Sequence, residues 1–154
     1  CVEASDVVPN TLAALGLPGL EHLVEGRSLL PLLRGSAGES WRDAVFSELD
    51  YSFREARLIL KRPADACRAM MVRTDRWKYI WWQDFRPMLF DLTNDPHELR
   101  DLGASDAHAA IRREMEERLF AWLRQRKTRV TVDNAYVEAR TATHRKHGIF
   151  FGVW

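Results

Sequence analysis

The fold of this chain is specified most strongly by residues 67–82, which read CRAMMVRTDRWKYIWW. Residues 67–74 and 77–82 are two apolar runs of the kind that favours β-strands. A connection as short as the one around Asp75 joins neighbouring strands as an antiparallel hairpin. The sequence therefore predicts an antiparallel sheet built around this hairpin.

Two further strands and one long helix are expected to complete the sheet. Residues 44–49 alternate between apolar and polar types, and residues 88–92 form another short apolar run. Residues 105–127 predict the longest helix, with Ser105 as its cap. Its apolar stripe should pack on the sheet and consists of Ile111, Met115, Leu119 and Trp122. The fold class is α+β, with a small antiparallel sheet of about four strands and one long C-terminal helix packed on it.

A short helical segment is expected before the sheet. Residues 5–15 predict a helix that Ser5 or Asp6 caps and Gly16 ends. Residues 26–35 predict a short apolar helical turn between two glycines. Both elements lie outside the sheet-forming part of the sequence.

The chain after the long helix differs in composition. From residue 124 to residue 147 there are seven basic and two acidic residues, a net charge of +5. Asp133 can cap a helix that ends at Gly148, and residues 149–154 are strongly apolar. An apolar terminus of this kind rarely stays in water, so we expect it to dock on its own domain or on a neighbouring subunit. The resulting divisions are residues 1–40, 41–127 and 128–154.

Composition places the whole chain among globular proteins without a membrane span. Hydrophobic residues make up 46% and charged residues 29%, with a net charge of +1. This balance does not indicate a dedicated nucleic-acid or membrane binder, and no apolar run approaches the roughly 20 residues that cross a bilayer. The two cysteines, Cys1 and Cys67, do not make a disulfide scaffold, so a reducing, cytoplasmic compartment is expected.

The carboxylate-rich residues after the 88–92 strand are the first candidates for chemistry. Asp91, Thr93 and Asp95 imitate the first ligand positions of an EF-hand calcium loop. Pro96 then replaces the required glycine and Leu102 the required glutamate, so calcium binding of that kind fails.

A structural interpretation of the same residues is preferred. Asp95 is expected to cap a helical turn with Pro96 in its first position and Glu98 in its third, a carboxylate variant of the capping box. Leu99 and Leu102 would then turn inward. The carboxylates are thus predicted to act as caps and not as metal ligands.

The remaining candidates are individually weak. His144 and His147 have a spacing that places two imidazoles on one helical face, but zinc needs at least a third protein ligand. Cys1 suggests an N-terminal nucleophile, although a sequence boundary explains its position better. Cys67 is expected to be a small buried hydrophobe.

Aromatic and basic residues admit a binding interpretation beside a structural one. Exposed aromatic side chains can stack on nucleic-acid bases. Core packing is the preferred interpretation for the tryptophans of the hairpin and the helix, which are Trp77, Trp81, Trp82 and Trp122. Residues 51–66 are expected to be a long polar loop. Its basic residues are candidates to border an anion site and comprise Arg54, Arg57, Lys61 and Arg62.

Four ordered segments resemble the C-terminal portion of sulfatase-type enzymes in the alkaline phosphatase superfamily. They read DVVPNTL with GLP from residue 6, GRSLLPLL from residue 26, MVRTDRWKYI from residue 71, and LFDL through DPHE from residue 89. The basic arm and the ending GIFFGVW from residue 148 resemble the phosphonate monoester hydrolase branch.

This resemblance implies a small antiparallel sheet with a long helix that caps a large α/β hydrolase domain. It also implies a parent enzyme that hydrolyses phosphate diesters, phosphonate monoesters and sulfate esters. That chemistry uses a formylglycine, made from Cys or Ser in a C-x-[PS]-x-R motif, and a divalent metal (calcium, manganese, magnesium or zinc). Residues 1–40 would form the edge of the large domain.

The catalytic motif of the family is not found in this chain. Cys1 is followed by Glu3 and Ser5 where the motif requires Pro or Ser and then Arg, and Cys67 fails at the corresponding positions. We therefore assign no catalytic, cofactor-binding or metal-ligating residue to this chain. We expect a structural, homo-oligomer-forming C-terminal fragment of such a hydrolase, whose partner is the rest of the parent. A basic nucleic-acid-binding module and an N-terminal-Cys hydrolase are the alternatives.

Overall fold

The structure, a computed structural model, describes residues 1–36, 41–127 and 131–141 of the 154-residue chain. The chain forms two compact units. The sheet unit contains Cys1–Ala4 and Pro31–Gln125, and the flanking unit contains Ser5–Leu30 and the chain from Arg126 onward. The predicted divisions at residues 40 and 127 stay predictions.

The sheet unit is built on four antiparallel strands in sequential order. They are β1 (Val45–Asp50), β2 (Arg68–Arg73), β3 (Trp77–Trp82) and β4 (Met88–Asp91). The predicted hairpin is formed by β2 and β3, and β1 and β4 are the two edge strands. The predicted α+β fold and its antiparallel sheet are therefore confirmed.

Five α-helices occur in the described residues: α1 (Val7–Ala14), α2 (Leu30–Leu33), α3 (Glu55–Ile59), α4 (Ala109–Gln125) and α5 (Asn134–Arg140). The longest, α4, contacts β2 and β3, as predicted for the C-terminal helix. Within the described ranges, none of the helices has the length and apolar character needed to cross a membrane.

The core of the sheet unit lies between α4 and one face of the sheet. Met115 and Leu119 of α4 are almost fully buried, and Ile111 and Trp122 pack beside them. The sheet contributes one residue from each of its last three strands to this core, namely Val72, Tyr79 and Leu89. These three residues are opposite one another in the strand register, so the two-residue period of the strands aims them all at the helix.

The tryptophans of the hairpin and of α4 pack inside the sheet unit, as the structural interpretation predicted. The ring of Trp122 stacks on Phe46 of β1 with 4.7 Å between centroids and 2° between planes. Trp81 meets Phe120 edge-on, and Trp82 meets Tyr51 in the same manner. Such aromatic pairs stabilise a core beyond the area they bury.

The start of α4 is different from the predicted helix capped by Ser105. The Ser105 hydroxyl does not cap a backbone N–H but hydrogen-bonds Nδ1 of His108 at 2.9 Å, because a 3-10 turn (Asp106–His108) precedes α4. Arg112 donates to the carbonyls of Gly103 and Ser105, which ties the start of α4 to the preceding loop.

Tyr79 supplies a test of the buried polar contact under α4. Its hydroxyl donates to Glu116 at 3.1 Å, and burial, followed by the Glu116 carboxylate, raises the Tyr79 pKa. We expect Tyr79→Phe to lower the free energy of unfolding by about 1 kcal/mol, because the ring remains in the core and only the hydrogen bond is lost. Urea unfolding followed by tryptophan fluorescence measures this change. Tyr136→Phe, at a half-exposed tyrosine in α5, is the control, and equal midpoints for both variants would contradict the prediction.

One edge of the sheet is held by the start of the chain. The Glu3 carboxylate accepts a hydrogen bond from the backbone N–H of Phe46 at 2.8 Å, on the outer edge of β1. The same carboxylate pairs with Arg42 at 2.8 Å. The first residues of the chain therefore belong to the sheet unit.

In the flanking unit, α1 ends at a glycine as predicted, with Gly16 at φ +68°. Asp6 precedes α1 but does not cap it. Its fully buried carboxylate instead accepts from the backbone N–H of Arg27 at 2.8 Å. A contact 21 residues away has thus replaced the local cap that the sequence predicts.

The second flanking helix is shorter than predicted. Asp133 caps α5 by accepting from the backbone N–H of Tyr136 at 2.7 Å, as expected. The helix ends at Arg140 and not at Gly148, because Thr141 adopts an extended backbone with ψ 137°. The His144 and His147 pair and the apolar terminus lie outside the described residues.

The connection between β1 and β2 is also different from the predicted irregular loop. It contains α3 and a 3-10 turn (Ala64–Ala66). Its arginines Arg57 and Arg62 are half-buried, whereas its apolar residues Phe53 and Ile59 are exposed. The polar composition of this segment predicts a loop, but the segment contains a short helix, α3.

Candidate functional site

The candidate site suggested by the sequence is the acidic turn, residues 91–103, which follows β4. At its start, the carboxylate of Asp91 accepts two hydrogen bonds from Arg76, at 3.0 Å from Nη2 and 3.3 Å from Nε. It also accepts from the backbone N–H of Thr93 at 3.2 Å and from Nδ2 of Asn94 at 2.9 Å. Asp91 thus joins the β2–β3 turn to the first residues after β4.

Asp101 organises the end of the acidic turn. Its Oδ1 accepts from the backbone N–H of Leu89 at 3.1 Å and from that of Gly103 at 2.8 Å, and its Oδ2 pairs with Arg86 at 3.2 Å. The backbone N–H of Leu102 donates to the carbonyl of Leu89 at 2.7 Å. The chain therefore returns along the outer edge of β4.

The predicted capping box at Asp95 is wrong. No helix forms at residues 95–99, and Asp95 accepts instead from the backbone N–H of Arg100 at 2.8 Å. Glu98 lies at φ +57°, a left-handed conformation that no helix position uses, and its carboxylate pairs with Lys78 at 2.6 Å. Glu98, which would complete the capping box, therefore forms an ion pair with Lys78 of β3 instead. Leu99, predicted to turn inward, is 85% exposed, whereas Leu102 packs against the core.

The pKa of Asp91 gives the acidic turn a testable pH dependence. Hydrogen bonds from Arg76 hold the pKa of the Asp91 carboxyl below its ordinary value, with Asn94 acting in the same direction and burial opposing both. A pKa that is lower in the folded chain stabilises the fold above the unfolded-state value of about 3.9, and this contribution is lost as the pH falls through the folded-state value.

We therefore expect the difference in the free energy of unfolding between the natural chain and Asp91→Asn to become smaller as the pH falls from about 6 to about 3. All other carboxylates cancel in this comparison because both proteins carry them. Urea midpoints measured across that range give the difference directly. A difference that is constant with pH would show that Asp91 does not carry the effect.

The remaining candidates from the sequence are dispersed. Cys67 is fully buried and its thiol donates to the carbonyl of Pro63 at 3.2 Å, which confirms its structural role. Cys1 is exposed, with its thiol 3.6 Å from Oδ1 of Asp75. Across residues 1–36, 41–127 and 131–141, no three His, Cys, Asp or Glu side chains lie together as a metal would require. The described residues therefore do not fit the divalent metal that the family resemblance implies.

The basic residues of the β1–β2 connection divide into two kinds. Arg57 donates through Nε to the carbonyl of Ser52 at 2.7 Å, and Arg62 forms an ion pair with Asp84. Both arginines thus hold the connection together. Arg54 and Lys61 are exposed. That these residues border an anion site stays a prediction.

Comparison with known proteins assigns the family of this chain. Residues 1–125 match the family model described as N-sulphoglucosamine sulphohydrolase, C-terminal. The chain belongs to this family. The resemblance to the C-terminal portion of sulfatase-type enzymes, inferred from four ordered motifs, is therefore confirmed.

Individual relatives of this sulphohydrolase C-terminal chain are much longer. The multifunctional alkaline phosphatase superfamily protein PehA of Trinickia caryophylli is 29% identical over 123 residues, which are 78% of this chain and 24% of the relative. Arylsulfatase K of Gallus gallus is 34% identical over 113 residues, which are 66% of this chain and 18% of that protein. The chain thus spans about a quarter or less of the relatives it matches.

A solved structure supports the same assignment. The phosphonate monoester hydrolase of Agrobacterium radiobacter is similar to this chain with a TM-score of 0.71 and 33% sequence identity. The match covers 80% of this chain and 25% of that one.

The geometry shows what the acidic turn does chemically in a sulphohydrolase C-terminal domain. Each of its described carboxylates accepts hydrogen bonds from backbone N–H groups or pairs with a cation of the same unit. The sequence missed the roles of Arg76 and Lys78. Arg76 directly precedes β3 and Lys78 is its second residue, and antiparallel pairing places the start of β3 opposite the end of β4. The turn fixes the path from β4 to α4.

Proposed function

We propose that this chain is the C-terminal part of a metal- and formylglycine-dependent hydrolase acting on phosphonate monoesters, phosphodiesters or sulfate esters. Its role there is structural and oligomer-forming, and the catalytic centre lies in the preceding part of the parent enzyme. The observation that carries the proposal is the family match over residues 1–125, in a chain spanning only 24–25% of PehA and the phosphonate monoester hydrolase.

The acidic turn supports a structural role. Asp91 and Asp101 are held by partners of their own unit, so their oxygens serve the fold and not a metal. In the parent, a formylglycine would supply the nucleophile, and a divalent metal (calcium, manganese, magnesium or zinc) would bind beside it, both outside this chain. A cytoplasmic location is part of the same proposal.

The parent enzyme tests this proposal. Reading the gene upstream of Cys1 should reveal a C-x-[PS]-x-R motif, and mass spectrometry of the expressed parent should find formylglycine there. The parent should hydrolyse at least one of the three ester classes, and the 154-residue chain should hydrolyse none. An upstream sequence without the motif, or hydrolysis by the 154-residue chain alone, would refute the proposal.

The oligomer-forming role is tested separately. The basic segment after α4 and the apolar residues 149–154 motivate it. A chain that stops after Lys127 should form an oligomer with fewer subunits than the full chain does. Size-exclusion chromatography with light scattering measures the number of subunits. Equal oligomeric states would remove the role proposed for the C-terminal arm.

A further inference from the structure

We draw no further inference here: the strongest candidate, the buried polar atoms of Tyr51 and Arg62 in the β1–β2 connection and of Gln83 after β3 (the Tyr51 hydroxyl, Arg62 Nε and Gln83 Oε1), has no hydrogen-bond partner among the described residues, and nothing in that part of the chain shows that the three atoms face one cavity or what would occupy it.

Discussion

Leu119→Ala is expected to lower the free energy of unfolding of this chain by about 2–5 kcal/mol, the range for removing a fully buried leucine side chain. Leu119 has no exposed surface and packs in the core that α4 shares with Val72, Tyr79 and Leu89. The loss combines the apolar surface that is no longer buried with the cavity left between helix and sheet. Fixed β-strands on the far side restrict how far the core can close.

Urea unfolding monitored by tryptophan fluorescence measures the effect, since Trp122 lies on the same helix. Leu99→Ala is the matched control, because Leu99 is the same residue type at 85% exposure, and its change should stay within about 0.5 kcal/mol. Similar losses in the two variants would show that α4 is not part of the stabilising core.

Gly103→Ala is expected to cost about 1–3 kcal/mol, the range for forcing an extra group into packed structure. A Cβ at position 103 would lie 2.1 Å from the Pro87 carbonyl oxygen and 3.0 Å from the Met88 Cα. These are backbone atoms at the start of β4, so relief requires moving the strand or the acidic turn. The hydrogen bond from the Leu102 N–H to the Leu89 carbonyl, at 2.7 Å, opposes such a movement.

The neighbouring exposed residue Ala104 provides the control. Ala104→Ser adds one atom to the same segment but on its solvent side, and its effect should stay within about 0.5 kcal/mol. Differential scanning calorimetry of both variants compares them. Gly103→Ala with an unchanged melting temperature would mean that the turn separates from β4 without cost.

Periodic patterns in the sequence predicted the architecture of the sheet unit well. Tyr79 and Leu89 are aimed at the helix by the alternation within strands, and Met115 and Leu119 are aimed at the sheet by their four-residue spacing. Each pattern repeats over a whole element, so no single residue decides it. The same patterns carry no information about residues that meet across elements.

The acidic turn and the β1–β2 connection show where sequence reasoning failed. Asp95 and Glu98 have a spacing that fits a helix cap, but Lys78 on β3 binds Glu98 and the cap is lost. In the β1–β2 connection, the polar residues Arg57 and Arg62 predict a solvated loop. Their side chains instead bind within the fold, Arg57 to the Ser52 carbonyl and Arg62 to Asp84. Both outcomes depend on partners from other parts of the chain.

For the candidate site, the sequence supplies only a prediction of absence, and that stays a prediction. The missing C-x-[PS]-x-R motif at Cys1 and Cys67 is visible in the sequence, so no catalytic residue was assigned. The ordered motifs identified the family because their order and spacing are specific even though each is short. The exposure of Phe53 in the β1–β2 connection could not be predicted, because exposure is a property of the fold and not of residue type.

The two edges of the sheet have a consequence for solubility. An unpaired strand edge is a template for adding another chain, and this leads to aggregation. On β1 the outward N–H of Phe46 is already bonded to Glu3, and on β4 both outward groups of Leu89 are bonded to Asp101 and Leu102. At Phe46 on β1 and at Leu89 on β4, the outward hydrogen-bonding groups are therefore already paired within the chain, and a strand from another molecule cannot bond to them without displacing these partners.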